Sequence, residues 1–190
     1  MAAFSIILFV HVVATLGLVG AISLEAMAVR QLGRTSQDAD LDAWLDPLSR
    51  VRLTASICLL PLFLSSGYLT DRLSMWTLAW PKIAVLVVVA FGALAGISGR
   101  RLGRIQKGVT ASSLEKSKAD AAVPFLTLSL SVRIGLVLAA VFLMVVKPNL
   151  PQSVGAVLGF ALICFGAGLV GMNRKRQSYT ATRDLESLPR

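Results

Sequence analysis

The stretch Ala3–Leu24, AFSIILFVHVVATLGLVGAISL, runs for twenty-two residues with His11 as its one ionisable side chain. A bilayer core about 30 Å thick is crossed by roughly 20 apolar residues of helix, so this segment is long enough to span it. Four more stretches of the same character follow at Leu53–Thr70, Trp80–Ser98, Val123–Val146 and Ser153–Met172. The composition agrees: 55% of the residues are hydrophobic, 15% are charged and the mean hydropathy is +0.73. Soluble domains carry about 25% charged residues. The expected fold class is all-α, a polytopic membrane helix bundle of five transmembrane helices over residues 1–172. A basic tail over 173–190 completes the chain.

Ala26-Met27-Ala28 after the first apolar run has the small-x-small form of a signal-peptidase site. The five residues Met1–Ser5 hold no Lys or Arg, however, and the run exceeds the roughly 7–15 residues of a signal-peptide core. The first span is therefore expected to remain as a helix.

Of the nineteen Lys and Arg residues, counting loops with their flanks, fifteen fall with the first loop, the third loop and the tail, three with the second and fourth loops, and Arg133 lies deep inside a span. Basic loops stay on the cytoplasmic side, which places the amino terminus outside and the carboxyl terminus in the cytoplasm. The expected address is a bacterial inner membrane. The net charge of +9 is spread beside apolar spans, where it meets lipid phosphates, and no separate basic domain suggests nucleic-acid binding. Tyr68, Trp76 and Trp80 cluster where the second span ends and the third begins, as an interfacial aromatic belt requires.

In the first cytoplasmic loop, Leu41, Trp44, Leu45, Leu48 and Val51 recur at helical spacing between aspartates, which predicts a short interfacial helix. Asp38, Asp40 and Asp42 also match the opening of an EF-hand loop. Ala43 stands where that loop needs Gly and Ser49 where it needs Glu, so the stretch reads as a solvated acidic loop. The third loop and the tail are polar and basic, the former either flexible or a continuation of the flanking helices into water, the latter expected to fray.

Small residues allow close helix approach in lipid. Gly92 with Gly96, Gly155 with Gly159 and Gly166, and Gly17 with Ala21 are the candidate contact stripes, within one chain or at a homodimer seam. Pro61 interrupts the second span and frees a carbonyl that Ser65 or Ser66 can satisfy. Cys58 and Cys164 both lie in apolar spans and read as buried thiols.

An Arg at mid-membrane costs roughly 2.5–3.5 kcal/mol on insertion scales, so Arg133 implies a partner. Glu25 is the deep acidic candidate, and Ser129, one turn before Arg133, lies on the same face. Arg133 reads as half of a structural pair, as an Arg bonded to kink carbonyls, or as an anion or lipid head-group site. His11, Ala14, Thr15, Leu18, Ile22 and Glu25 form one helical stripe that should face the bundle. His11 there is an interhelical hydrogen-bond donor, a metal or haem ligand, or a proton relay. With a single His, haem ligation needs a Met, for example Met75 or Met144, or a second subunit.

Phe9-Val10-His11-Val12-Val13, followed by Gly17 and Gly20, resembles the first helix of small polytopic bacterial membrane proteins without an assigned activity. More distantly it resembles the copper-resistance-D-like membrane domain. Ser66-Gly67-Tyr68-Leu69-Thr70, Arg133 and Phe142-Leu143-Met144-Val145-Val146-Lys147-Pro148 belong to the same resemblance. It implies a role in copper or haem handling carried by His11. From the residues themselves, the leading expectation is a small ligand bound or passed in a polar pocket lined by His11, Thr15, Glu25, Ser129 and Arg133, with no enzyme signature. Its rivals are a haem-binding or electron-transfer subunit using His11 and a structural subunit of a larger membrane complex.

Overall fold

The computed structural model describes residues 2–32, 38–109 and 116–186, with side chains over 2–31, 50–101, 103 and 124–173. The described residues form five α-helices and no strand: α1 (Ala2–Leu32), α2 (Asp38–Arg72), α3 (Ala79–Val109), α4 (Lys116–Val146) and α5 (Leu150–Glu186), with a 3-10 turn at Met75–Thr77. All five are long and apolar enough to cross a membrane, over Ala2–Gln31, Arg50–Arg72, Ala79–Arg101, Pro124–Val146 and Leu150–Asn173.

Each helix outruns its apolar window. The helix expected over the first loop is the opening of α2 rather than a separate element, and the side chains of residues 32–49 lie outside the described set. The third loop continues α3 to Val109 and begins α4 at Lys116, and the tail stays helical to Glu186. Arg, Lys, Gln, Leu and Ala fill much of these extensions, and such residues are good helix formers in water as well as in lipid.

Two tight turns fix the ends opposite the basic loops. Ser74, at φ 51°, adopts the left-handed conformation, and its N–H donates to the Asp71 carbonyl at 2.9 Å. Lys147 has the same φ and donates to Leu143 at 3.1 Å, which closes α4 before Pro148 forbids continuation. Asn149 then caps α5: Gln152 N–H donates to Asn149 Oδ1 at 3.1 Å and Asn149 N–H donates back to Gln152 Oε1 at 3.4 Å.

Successive helices are antiparallel. Between α1 and α2, His11 meets Ser65, Gly17 meets Cys58 and Glu25 meets Arg52. Between α3 and α4, Phe91 meets Arg133, Ser98 meets Ser129 and Arg101 meets Phe125. Helices α1 to α4 close a ring, since α1 also touches α4, while α5 lies outside it against α4 and α3. The ring has a basic end, where α1 finishes and α2 begins, and an opposite end at the Met75–Thr77 turn. Its core is mainly aliphatic, with Leu18, Ile22, Leu62, Val87, Leu130, Leu136 and Leu143 buried beside the aromatic Phe91. The outward surface is equally apolar: Phe9, Leu16, Leu60, Leu86, Leu162 and Ile163 are all exposed, as a lipid-facing surface requires.

The glycine stripes sort differently from expectation. A Cβ built on Gly155, Gly159, Gly166 or Gly96 meets nothing within 4 Å, and one on Gly92 makes only ordinary contact with Leu59. The tight approaches are at Gly17, against the Cys58 sulfur at 2.7 Å, at Gly168, against Ser131 Oγ at 2.7 Å, and at Gly135, against the Phe160 carbonyl oxygen at 2.6 Å. Trp80 also departs from a lipid-facing belt: it is buried in the bundle, while Trp76 is exposed and Tyr68 stacks under Arg72 at 5.9 Å.

Candidate functional site

The most completely buried large side chains include two of opposite charge. Arg133, 1% exposed, and Glu25, 2% exposed, meet across α4 and α1, with Arg133 Nη2 donating to Glu25 Oε1 at 2.6 Å. The Coulomb attraction is strong where water is excluded, and it offsets the cost of desolvating both groups. Phe91 on α3 presents its ring 5.8 Å from the Arg133 guanidinium carbon, adding a cation–π contact. The pair expected from the sequence therefore exists.

A third member was not anticipated. Arg52 on α2 places Nε 3.7 Å from Glu25 Oε1, donates from Nη2 to the Ala95 carbonyl of α3 at 2.9 Å, and rests its guanidinium against Gly99. In the sequence Arg52 reads as one of the basic residues flanking the first loop, because it precedes the apolar run. The signal available was depth. Antiparallel α1 and α2 put a residue at the start of the second span level with Glu25 near the end of the first. Two arginines, from α2 and α4, thus face the one carboxylate on α1, and α3 holds both of them through the Ala95 carbonyl and the Phe91 ring.

Ser129 does not orient Arg133 but shares a 2.6 Å hydrogen bond with Ser98 of α3, both hydroxyls being buried. This bond joins α3 to α4 on the same basic half of the ring. His11 lies toward the other end, where Nδ1 is 3.0 Å from Ser65 Oγ and 3.4 Å from Ser66 Oγ. The two hydroxyls also donate to the carbonyls of Pro61 and Leu62, at 2.6 and 2.7 Å. They do not serve the Ile57 carbonyl, which is the one Pro61 frees by lacking an N–H. Thr15 donates to the His11 carbonyl at 2.8 Å. His11 is thus an interhelical hydrogen-bonding residue. No three His, Cys, Asp or Glu among the described residues stand close enough to hold a metal.

Beside these groups lies a cleft between α1, α2, α3 and α4. Its walls are Leu18, Leu59, Leu62, Val87, Phe91 and Leu136 with their neighbours, and Thr15 and Ser66 are its only hydroxyl-bearing residues. Val19, Val141 and Met144 also line it and are exposed, so it opens sideways between α1 and α4, toward what would be lipid. The cause is visible in the fold. Glu25 draws α1 onto Arg133 of α4 near the basic end, whereas at the cleft the two helices face each other with mostly aliphatic side chains.

The five sequence candidates therefore fall in three places. Glu25 and Arg133 form the buried pair, Ser129 bonds Ser98, and His11 bonds the Ser65 and Ser66 hydroxyls. Thr15 alone among them lines the cleft. No protein-family model matches the chain, and no curated protein or solved structure matches it either.

Proposed function

We propose that this chain is an integral protein of a bacterial inner membrane that takes a small, mainly apolar ligand sideways from the bilayer into the cleft between α1 and α4. The observation that carries this reading is the lining: aliphatic residues and Phe91, with two hydroxyls to orient a polar atom and a rim of exposed apolar residues. Ligand sites commonly combine a mostly apolar wall with a few polar groups. A charged ligand would face walls unable to replace its hydration, whereas a lipid-soluble one enters without that cost.

Photolabelling tests it. A diazirine-bearing alkyl probe dissolved in the membrane is expected to label Val87 and Phe91, which are buried from bulk lipid and line the cleft. Ala140→Trp places an indole into the same space and should remove that labelling while leaving label on exposed Leu60 and Leu162. Equal labelling of Val87 and Phe91 in the variant would remove the cleft from consideration.

The proposed orientation, amino terminus outside, rests on the fifteen to three distribution of basic residues. A reporter fused after Arg190 is expected to be active only as a cytoplasmic reporter. Activity of an exported-only reporter at that point would reverse the assignment.

A further inference from the structure

The ionic cluster at the basic end is unbalanced in charge and in hydrogen bonds. Among the described residues, two guanidinium groups, Arg52 and Arg133, share one carboxylate, Glu25. Three of their atoms are buried without a hydrogen-bond partner: the donors Arg52 Nη1 and Arg133 Nε and the acceptor Glu25 Oε2. A buried charged group left in this state costs several kcal/mol, so a native cluster of this kind calls for a complement. Both guanidinium groups approach Glu25 Oε1, Arg133 through Nη2 at 2.6 Å and Arg52 through Nε at 3.7 Å, so the three atoms belong to one ionic cluster.

The inventory specifies that complement. It must carry one negative charge, accept from two N–H groups and donate to one carboxylate oxygen. Water satisfies the hydrogen bonds and leaves the positive charge. Chloride balances the charge and has no hydrogen to give to Glu25. A fully ionised oxyanion such as sulfate brings a second negative charge and places an acceptor against an acceptor. A singly charged oxyanion that still carries an O–H, such as dihydrogen phosphate or a singly ionised phosphomonoester, meets all three demands.

We propose that Arg52, Glu25 and Arg133 form a site for one singly charged, protonated phosphate, either free dihydrogen phosphate or the phosphomonoester head group of a lipid. Its oxygens accept from Arg52 Nη1 and Arg133 Nε, and its P–O–H donates to Glu25 Oε2. Arg52 is the entrance. It stands at the end of its span, its side chain is 11% exposed against 2% for the other two, and its 3.7 Å ion pair is the looser one. None of these three residues lines the cleft, although Phe91 borders both.

The test uses the full chain in nanodiscs of a neutral phospholipid at about pH 6, near the second ionisation of a phosphomonoester. At about ten times its Kd, inorganic phosphate is expected to raise the melting temperature by roughly 3–6 °C, and sulfate at equal ionic strength should not. Arg52→Gln keeps the Glu25–Arg133 pair, so it should fold and lose the shift. If phosphate has no effect but discs containing phosphatidic acid show the rise, and Arg52→Gln abolishes it, the ligand is the lipid head group. The proposal is overturned if neither phosphate source shifts the melt, if sulfate matches phosphate, or if the shift survives in Arg52→Gln.

Discussion

Glu25→Leu is expected to destabilise the protein by about 3–5 kcal/mol, because it leaves two guanidinium groups facing an apolar side chain. Arg133→Leu should cost a similar amount for the reciprocal reason, an uncompensated carboxylate with only the looser Arg52 beside it. The double variant should lose less than the sum, with a coupling of about 0.5–3 kcal/mol, since most of each single cost is the charge left unpaired. Thermal melts of the three variants in one detergent measure this. Strictly additive losses would show that the 2.6 Å contact does not couple the two residues. Arg52→Leu should be milder than either, because Arg52 lies at the end of its span and leaves the closer pair intact.

Gly135→Ala is expected to cost about 1–3 kcal/mol, a large effect for one methyl group. The added carbon would stand 2.6 Å from the Phe160 carbonyl oxygen, 3.0 Å from its carbonyl carbon and 3.1 Å from the Ala161 Cα. These are backbone atoms of α5, so relief requires moving the whole helix off α4. Gly168→Ala should cost less, because the group in its way is the Ser131 hydroxyl, which can rotate. Gly159→Ala and Gly155→Ala meet nothing and should be neutral or stabilising by up to about 1 kcal/mol, alanine being the better helix former. Melting temperatures of the four variants test the ranking. If Gly159→Ala in the isolated chain is as damaging as Gly135→Ala, the packing of α5 described above is wrong.

The glycine positions show why a sequence stripe and a contact differ. Gly155, Gly159 and Gly166 make a regular small-residue face, yet it points away from α4. Gly168, with Cys164 and Met172 four residues to either side, belongs to no such stripe and still makes a close contact, as does Gly135. Which face of a membrane helix packs is not decided by hydrophobicity, since lipid and protein interior are equally apolar. Only the neighbouring helix selects it.

The ionic site divides along the same line. Arg133 was recognisable because a charge deep inside an apolar span carries a large penalty, and Glu25, at the end of the first span, was the one deep acidic residue to pair with it. Ser129 was placed on the correct face, but its partner, Ser98, lies on another helix and hydroxyls are too common in spans for sequence to choose among them. Arg52 was hidden by its position at a span boundary, where a basic residue has an ordinary explanation in topology.

By itself the sequence determined five membrane-length helices, their up-and-down order and the residues that must find polar partners. The bilayer imposes those demands on each segment separately, through its thickness and its lack of hydrogen bonds. Only the tertiary structure decided that α1 to α4 form the ring with α5 outside, that Arg52 joins Glu25 and Arg133, and that the cleft lining is apolar. Those outcomes depend on helix register and rotation, and the bilayer leaves both free until helices touch.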